Sequence, residues 1–350
     1  MGFPTLASRT GLGCRRRLMA ALCMGGVLGA AAAAPAWAQT GDPLVDAREA
    51  RAWLERIHAA AGQKSFQGTF VVSAGGTVTS SRIVHYCDGR NQLERIDSLD
   101  GQRRQVLRHN DVVQTMWPGS RVAVVETRHM TGGFPALLQS SADRIVRHYD
   151  ARPLGRDRVA GHEANVLLLK PKDHFRFGYR LWAEKDSGLL LRAEVLGAQG
   201  EVIEASAFSD LQIGVKSQPD VVLVPMKRLE GYRVQRPVLE PVDLAQEGWQ
   251  VRELPPGFKH VSSVRRTIDA EPGNSAAPAA VLQTIYSDGL THVSVFLEPY
   301  NPATHRRELL MAMGATQTLA RRQGDWWLTV IGDVPVVTLR AFAAAQERRP

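Results

Sequence analysis

Cysteine is scarce, three in 350 residues. Cys14 and Cys23 lie in an N-terminal segment that reads as removed on export. The mature chain then keeps Cys87 alone, and no intrachain disulfide can form. One thiol also excludes a thiolate zinc site. The ten histidines are scattered, none at the spacing of a helical metal pair, and His162-Glu163 has no second histidine three residues on. No nucleophile-elbow serine occurs, and Gly75-Gly76 lacks the Gly-Lys-Ser/Thr of a phosphate loop. Acidic pairs such as Glu184 and Asp186 fall in a turn and read as surface charge. These absences leave no positive reason to assign catalysis, a metal or a cofactor. Cys87 follows Val84-His85-Tyr86 at a strand end and reads as a partly buried bystander, with no base poised to activate it. In an oxidising compartment a free thiol can crosslink two chains, the sequence's one pointer to a homo-oligomer.

A long apolar run is also missing. Leu18 to Ala34 is short of the roughly 20 residues a span needs. It follows Arg15-Arg16-Arg17 and ends at Pro35 and Ala36-Trp37-Ala38, the layout of an export signal cleaved after Ala38. Export points to the periplasm and argues against nucleic acid as partner. The sequence pI of about 9.7 does not oppose this, because the signal carries four arginines and no acid. Its loss lowers the formal charge from +8 to +4. Basic pairs at Arg103-Arg104, Arg265-Arg266, Arg306-Arg307 and Arg321-Arg322 read as solvated surface, or as attraction to lipid phosphates or an acidic peptide.

What is present is strand pattern. An amphipathic helix opens the chain, with Asp42 as cap, Pro43 in the first turn, a stripe of Ala50, Trp53, Leu54, Ile57 and Ala61, and a stop at Gly62. Turn signals then recur about every ten residues, at Gly75-Gly76, Asp88-Gly89, Asp100-Gly101, Asn110-Asp111 and Pro118-Gly119, the mark of an antiparallel meander. Thr131 to Asp143 breaks it with a short helical stretch. Strands resume from Ile145 to Leu211. From Phe175 to Leu181 aromatics alternate on one face, which puts Arg176 and Arg180 on the other, and Lys185-Asp186-Ser187-Gly188 turns the chain back. The prolines of Gln218 to Gln246 read as a connection, part of which can pair as an edge. Beyond it, strands at 280–286, 290–297, 316–321 and 326–331 join helices at 303–313 and 336–347, with a mobile loop at 269–279.

The fold class is therefore α+β: an N-terminal curved antiparallel sheet with helices on one face, and a smaller C-terminal α+β domain. The expected boundaries are 1–38 for the signal, 39–217 for the first domain, 218–246 for the linker and 247–350 for the second domain.

The ordered string PKDHFRFGYRLWAEKDSGLLLR from Pro171 to Arg192 resembles the MucB/RseB family of periplasmic regulators of envelope-stress sigma factors. SFQGTFVV (65–72), RVAG (158–161), LPPGF (254–258), SDGLTHVSVFLEP (287–299) and VIGDVP (330–335) fit the same family in the same order. The resemblance implies an unclosed barrel like that of the lipoprotein carrier LolA, with helices over its open mouth. It implies a cavity linked to sensing lipid, lipopolysaccharide included. It also implies that the second domain and the adjoining interdomain region grip the periplasmic segment of a transmembrane anti-sigma factor and shield it from proteolysis until lipid releases it.

Candidate cavity residues are Trp117, Phe134, Leu137, Leu138, Phe177 and Tyr179. Ordinary core packing is the competing reading for Phe177 and Tyr179. Trp182 lies on the opposite face from Phe177, so both line one pocket only if both sheet faces are covered. Candidates for the anti-sigma contact are Phe296, Tyr300, Met311, Met313, Trp326 and Trp327. Adjacent Trp326 and Trp327 must point to opposite faces, one into the core and the other exposed or covered by something else. The rival reading is a lipid or lipoprotein carrier, which needs only the first domain. An envelope hydrolase is a third, but no acid, base or nucleophile stands out for it.

Overall fold

A computed structural model describes residues 46–127, 133–138, 142–268 and 279–349. The export signal, Asp42, Pro43 and residues 269–278 of the loop expected at 269–279 lie outside these residues; Ala279 begins a strand. Helix α1 (Ala47–Gln63) is capped by Asp46, whose carboxylate accepts from the backbone N–H of Arg48 at 2.7 Å and Glu49 at 2.9 Å. The helix runs through Gly62, the expected stop, to Gln63. Its buried stripe is Ala50, Leu54, Ile57 and Ala60.

Six strands follow as an antiparallel meander: β1 (Phe66–Ala74), β2 (Thr77–Cys87), β3 (Gln92–Ser98), β4 (Gln105–His109), β5 (Val112–Trp117) and β6 (Val122–Thr127). After helix α2 (Ala142–His148) come β7 (Tyr149–Val159), β8 (His162–Pro171), β9 (Gly178–Glu184), β10 (Leu190–Leu196) and β11 (Val202–Ile213), each antiparallel to the one before. β11 returns to pair with β1. The result is one sheet whose end strands do not pair with each other, so it stays open.

Prolines do not break the connection as expected. Pro219 sits at the start of helix α3 (Asp220–Lys227) and Pro225 within it. Val222 of α3 is fully buried with Tyr86, Leu93, Leu107 and Met116, and Leu223 and Met226 pack against the same core, so apolar burial along the helix offsets the proline penalty. Strand β12 (Arg233–Gln235) then adds to the first sheet alongside β6, in parallel. Strand β13 (Leu239–Pro241) opens the second sheet, whose order is β13, β15, β16, β17, β20, β19, β18. Short β14 (Trp249–Val251) precedes β15 (Lys259–Ile268), β16 (Ala279–Ser287), β17 (His292–Pro299), β18 (Leu309–Met313), β19 (Thr316–Gln323) and β20 (Trp326–Gly332). Helix α4 (Val336–Ala345) buries Leu339, Phe342 and Ala343 against this sheet, and β21 (Gln346–Arg348) pairs with β14.

The helix expected at 303–313 is not there. Leu309–Met313 is a strand paired with β19 across the two-residue turn Gly314-Ala315. Leu, Met and Ala favour a helix, but Gly314 supplies the positive φ of 58° that a tight hairpin needs.

Both faces of β8 are covered. Leu167 and Leu169 enter a core with α1, α2, Tyr179 and Leu181, while Ala164 and Val166 enter a second core with Trp182, Phe66 and Phe208. The first sheet also depends on a close backbone approach at Gly68, where a Cβ would stand 2.2 Å from the Asp210 carbonyl oxygen. Gly68→Ala should therefore cost about 1–3 kcal/mol, the usual penalty of overpacking. Urea unfolding checks it; an unchanged midpoint would contradict the tight β1–β11 approach.

Candidate functional site

The first sheet presents Tyr179, Ala193 and Val195 on one face of β9 and β10, with Glu204 and Ser206 beside them on β11. The loop Gly133–Leu138 lies over this face. So does the second sheet: the β16–β17 turn delivers Leu290 and Thr291, β17 contributes His292, and Asp333 follows β20. These residues enclose a cavity of about 90 Å³. A 150 Å³ cavity holds roughly one benzene, so this one is too small for an acyl chain. Leu290 and Ala315, both from the second sheet's hairpin turns, are 4% and 1% exposed and belong to the same apolar cluster as Tyr179, Ala193 and Val195.

The seam between the sheets is organised by Arg176. Its Nε donates to Asp288 Oδ2 at 2.7 Å. Its Nη1 donates to Asp173 and its Nη2 to the Pro256 carbonyl. The guanidinium lies 4.9 Å from the Phe258 ring centre. The side chains of Arg176 and Asp288 are 0% and 1% exposed. Asp288 is itself positioned by its turn, where Oδ1 accepts from the N–H of Leu290 at 3.0 Å and Thr291 at 2.9 Å. Thr338 Oγ1 donates to the Phe175 carbonyl at 2.8 Å, and the Ala315 N–H donates to Glu204 Oε2 at 3.1 Å.

Period two puts Arg176 on the face opposite Phe175 and Phe177, on a strand beginning near Phe175. The regular strand begins at Gly178, and Phe175 to Phe177 are irregular. That departure from period two turns Arg176 inward, 3% exposed.

Of the expected cavity residues, the structure brings together Phe134, Leu137 and Tyr179 at the cavity wall. Leu138 and Phe177 are buried in the adjoining core and are not part of that wall. Trp117 is half-buried at the end of β5, six positions along the sheet from β10, and is not part of that wall. In the second sheet, Trp326 packs on the α4 core, edge-on to Trp249 at 5.3 Å. Trp327 is covered by the His305 ring, stacked at 4.8 Å, and by Tyr300 at 6.2 Å. Phe296 is partly buried on β17. Met311 and Met313 remain, 47% and 65% exposed on edge strand β18.

Sequence reasoning missed Arg176, Glu204, Asp288 and Leu290. Asp288-Gly289 was visible as a turn, but nothing local says that the turn is buried against another sheet.

Among the described residues no cluster of His, Cys, Asp and Glu could hold a metal ion, and no helix is long and apolar enough to cross a membrane.

Removing one partner of a buried ion pair strands the other charge. Arg176→Leu should lower the unfolding free energy by about 3–5 kcal/mol. Urea unfolding followed by tryptophan fluorescence tests this; a loss below about 1 kcal/mol would mean that the seam does not depend on the pair.

Burial lifts the Glu204 carboxyl above its ordinary value of 4.5; the Ala315 N–H works against that, and nearby Asp333 adds to it. A carboxyl raised in the fold stabilises fully below 4.5, and that contribution is lost as pH rises through the raised value. Glu204→Gln, which keeps an acceptor for Ala315, should therefore raise the thermal midpoint at neutral pH, and the gain should vanish as pH falls below 4.5. Calorimetry across that range reads it; a gain that grows toward acid would be contrary. His148, beside Gly257 and Arg176, has the opposite sign. Burial and Arg176 hold it below its ordinary 6.5, so its contribution is present above 6.5 and lost as pH falls through the lowered value.

Residues 49–227 match the family model described as the MucB/RseB N-terminal domain, and residues 243–347 the one described as the MucB/RseB C-terminal domain. The chain is 30% identical over 319 residues to the sigma factor AlgU regulatory protein MucB of Pseudomonas aeruginosa, covering 87% of this chain and 95% of that one. It is 25% identical over 296 residues to the sigma-E factor regulatory protein RseB of Escherichia coli K12, covering 83% and 88%. The solved complex of P. aeruginosa MucA and MucB superposes with a TM-score of 0.66 at 27% identity, over 86% of this chain and 99% of that one. A crystal structure of MucB gives 0.61 at 27% identity, over 86% and 98%. With both halves matched in order and nearly the full length of a curated relative covered, the chain belongs to the MucB/RseB family.

Proposed function

We propose that this protein is an exported negative regulator of an envelope-stress sigma factor. It binds the periplasmic region of a transmembrane anti-sigma factor and shields it from the initiating protease. A lipid, lipopolysaccharide included, binds the first sheet and lowers that affinity, and release frees the sigma factor. The observation that carries this reading is the match over 95% of the length of a sigma factor regulatory protein. The solved MucA–MucB complex supports the choice of partner.

The proposal includes cleavage after Ala38 and a division into domains at 39–217 and 247–350 joined by 218–246. The family is one of regulators, and no residue here is assigned a catalytic role.

Partner contact is best assigned to β18. Leu309, Leu310, Met311 and Met313 are all exposed, on a strand with one free edge. Open backbone groups beside adaptable thioether side chains suit an added peptide strand. Trp326 and Trp327 support the sheet beneath. The lipid is assigned to the face lined by Phe134, Leu137 and Tyr179, with apolar contact as the main attraction.

The test is calorimetric titration of residues 39–350 with the periplasmic segment of the cognate anti-sigma factor. Saturable binding is expected, weakened about tenfold by Met311→Asp with Met313→Asp, the cost of losing an apolar anchor. No binding, with lipid still taken up, would favour the carrier instead. Full affinity in the double variant would move the contact off β18.

A further inference from the structure

The face assigned to lipid is already occupied by the protein's own chain. Leu290 is 4% exposed and packs in the cluster of Tyr179, Ala193 and Val195. Two residues earlier, Asp288 gives its carboxylate to Arg176 at 2.7 Å. The turn from Asp288 to Thr291 thus offers the first sheet a carboxylate and a branched alkyl group side by side. Those are the two recognition elements of an anionic acyl lipid. The free space beside Leu290 is about 90 Å³, too small to admit an acyl chain with the turn in place.

We propose that the Asp288–Thr291 turn is an internal mimic of an anionic acyl lipid, and that such a lipid binds by displacing it. This rests on the lipid reading above and adds the regulation and headgroup chemistry of that site. The acyl chain takes the apolar surface that Leu290 vacates. The anionic headgroup takes the Arg176 guanidinium that Asp288 vacates, an exchange of one charge-assisted contact for another. Arg176 keeps Asp173, three residues away on its own segment, but keeps the Pro256 carbonyl only while the loop bearing Pro256 stays docked, so headgroup capture also compensates for the loss of that contact. Two further polar contacts of the seam, Ala315 to Glu204 and Thr338 to Phe175, are single hydrogen bonds that water can replace. Because only the open form binds, apparent affinity is the intrinsic affinity scaled by the open fraction. Weakening the latch must therefore tighten lipid binding, the reverse of what loss of an ordinary binding residue does.

The test uses the exported chain, residues 39–350, with cis-parinaric acid and its uncharged methyl ester as fluorescent probes. Asp288→Asn keeps the turn, since an amide oxygen still accepts from Leu290 and Thr291, and removes only the charge facing Arg176. Leu290→Ala keeps the latch and shrinks the plug. Both should bind the acid at least about tenfold more tightly than the parent chain, tracking the larger open fraction. The acid should outbind the ester in every form. Saturating acid should speed amide exchange at Leu290, Thr291 and Ala315 in the parent chain. If Asp288→Asn fails to fold, Leu290→Ala and the exchange rates decide. Equal affinity in all forms, with exchange at Leu290 unchanged or slowed, would overturn the mimic and leave the lipid reading standing. No probe binding by any form would overturn both.

Discussion

The ion pair between Arg176 and Asp288 is the contact on which the rest of the seam is built. Two charges with essentially no exposure are costly to bury, and such a pair persists only when every remaining donor finds a partner. Here Asp173, Pro256 and the Phe258 ring supply what Asp288 does not. Its consequence is positional. Fixing Asp288 fixes the turn, the turn places Leu290 against the first sheet, and Leu290 closes the apolar face. A purely hydrophobic seam of the same area would hold the sheets together without specifying this register. The carboxylate of Glu204 across from Asp333 works the other way, and leaves the seam with opposing electrostatic terms of the kind a reversible contact needs.

One element touches both proposed sites. The β18–β19 hairpin puts its turn into the seam, where the Ala315 N–H meets Glu204 and a Cβ on Gly314 would clash with Ala74. The other edge of the same hairpin presents Met311 and Met313. Opening the seam frees the turn that braces the proposed partner strand. That gives the regulator a physical route for lipid to reduce partner affinity without the two ligands meeting. Such coupling is a free energy shared by both sites, so it has to act in both directions.

Much of the sheet was legible because period-two alternation and Gly-containing turns are local signals. Turn signals at Gly75-Gly76, Asp88-Gly89 and Asn110-Asp111 mark three of the meander's corners, and Lys185 to Gly188 turns the β9–β10 hairpin. Phe134 and Leu137 were proposed because apolar residues after a glycine-rich break suggest a cover over a sheet, and Tyr179 because aromatics alternate along its strand; the three lie together at the cavity wall. What failed was decided by distant partners. Leu309–Met313 reads as helix until β19 pairs with it, and α3 reads as a broken linker until Val222 meets Leu107 and Tyr86. Trp117 looked like a cavity wall because the sequence does not say which end of a long sheet its strand joins. The role of Arg176 was not legible because the irregular backbone before Gly178 departs from period two, and Asp288, the acid it pairs with, lies 112 residues away.

The central claim is that lipid and partner are linked through this seam. The most direct test measures the affinity of residues 39–350 for the anti-sigma periplasmic segment with and without saturating lipopolysaccharide. The affinity for lipopolysaccharide is then measured with and without the saturating segment. The account predicts weakening in both directions by the same factor. Independent binding, with neither affinity changed by the other ligand, would contradict it.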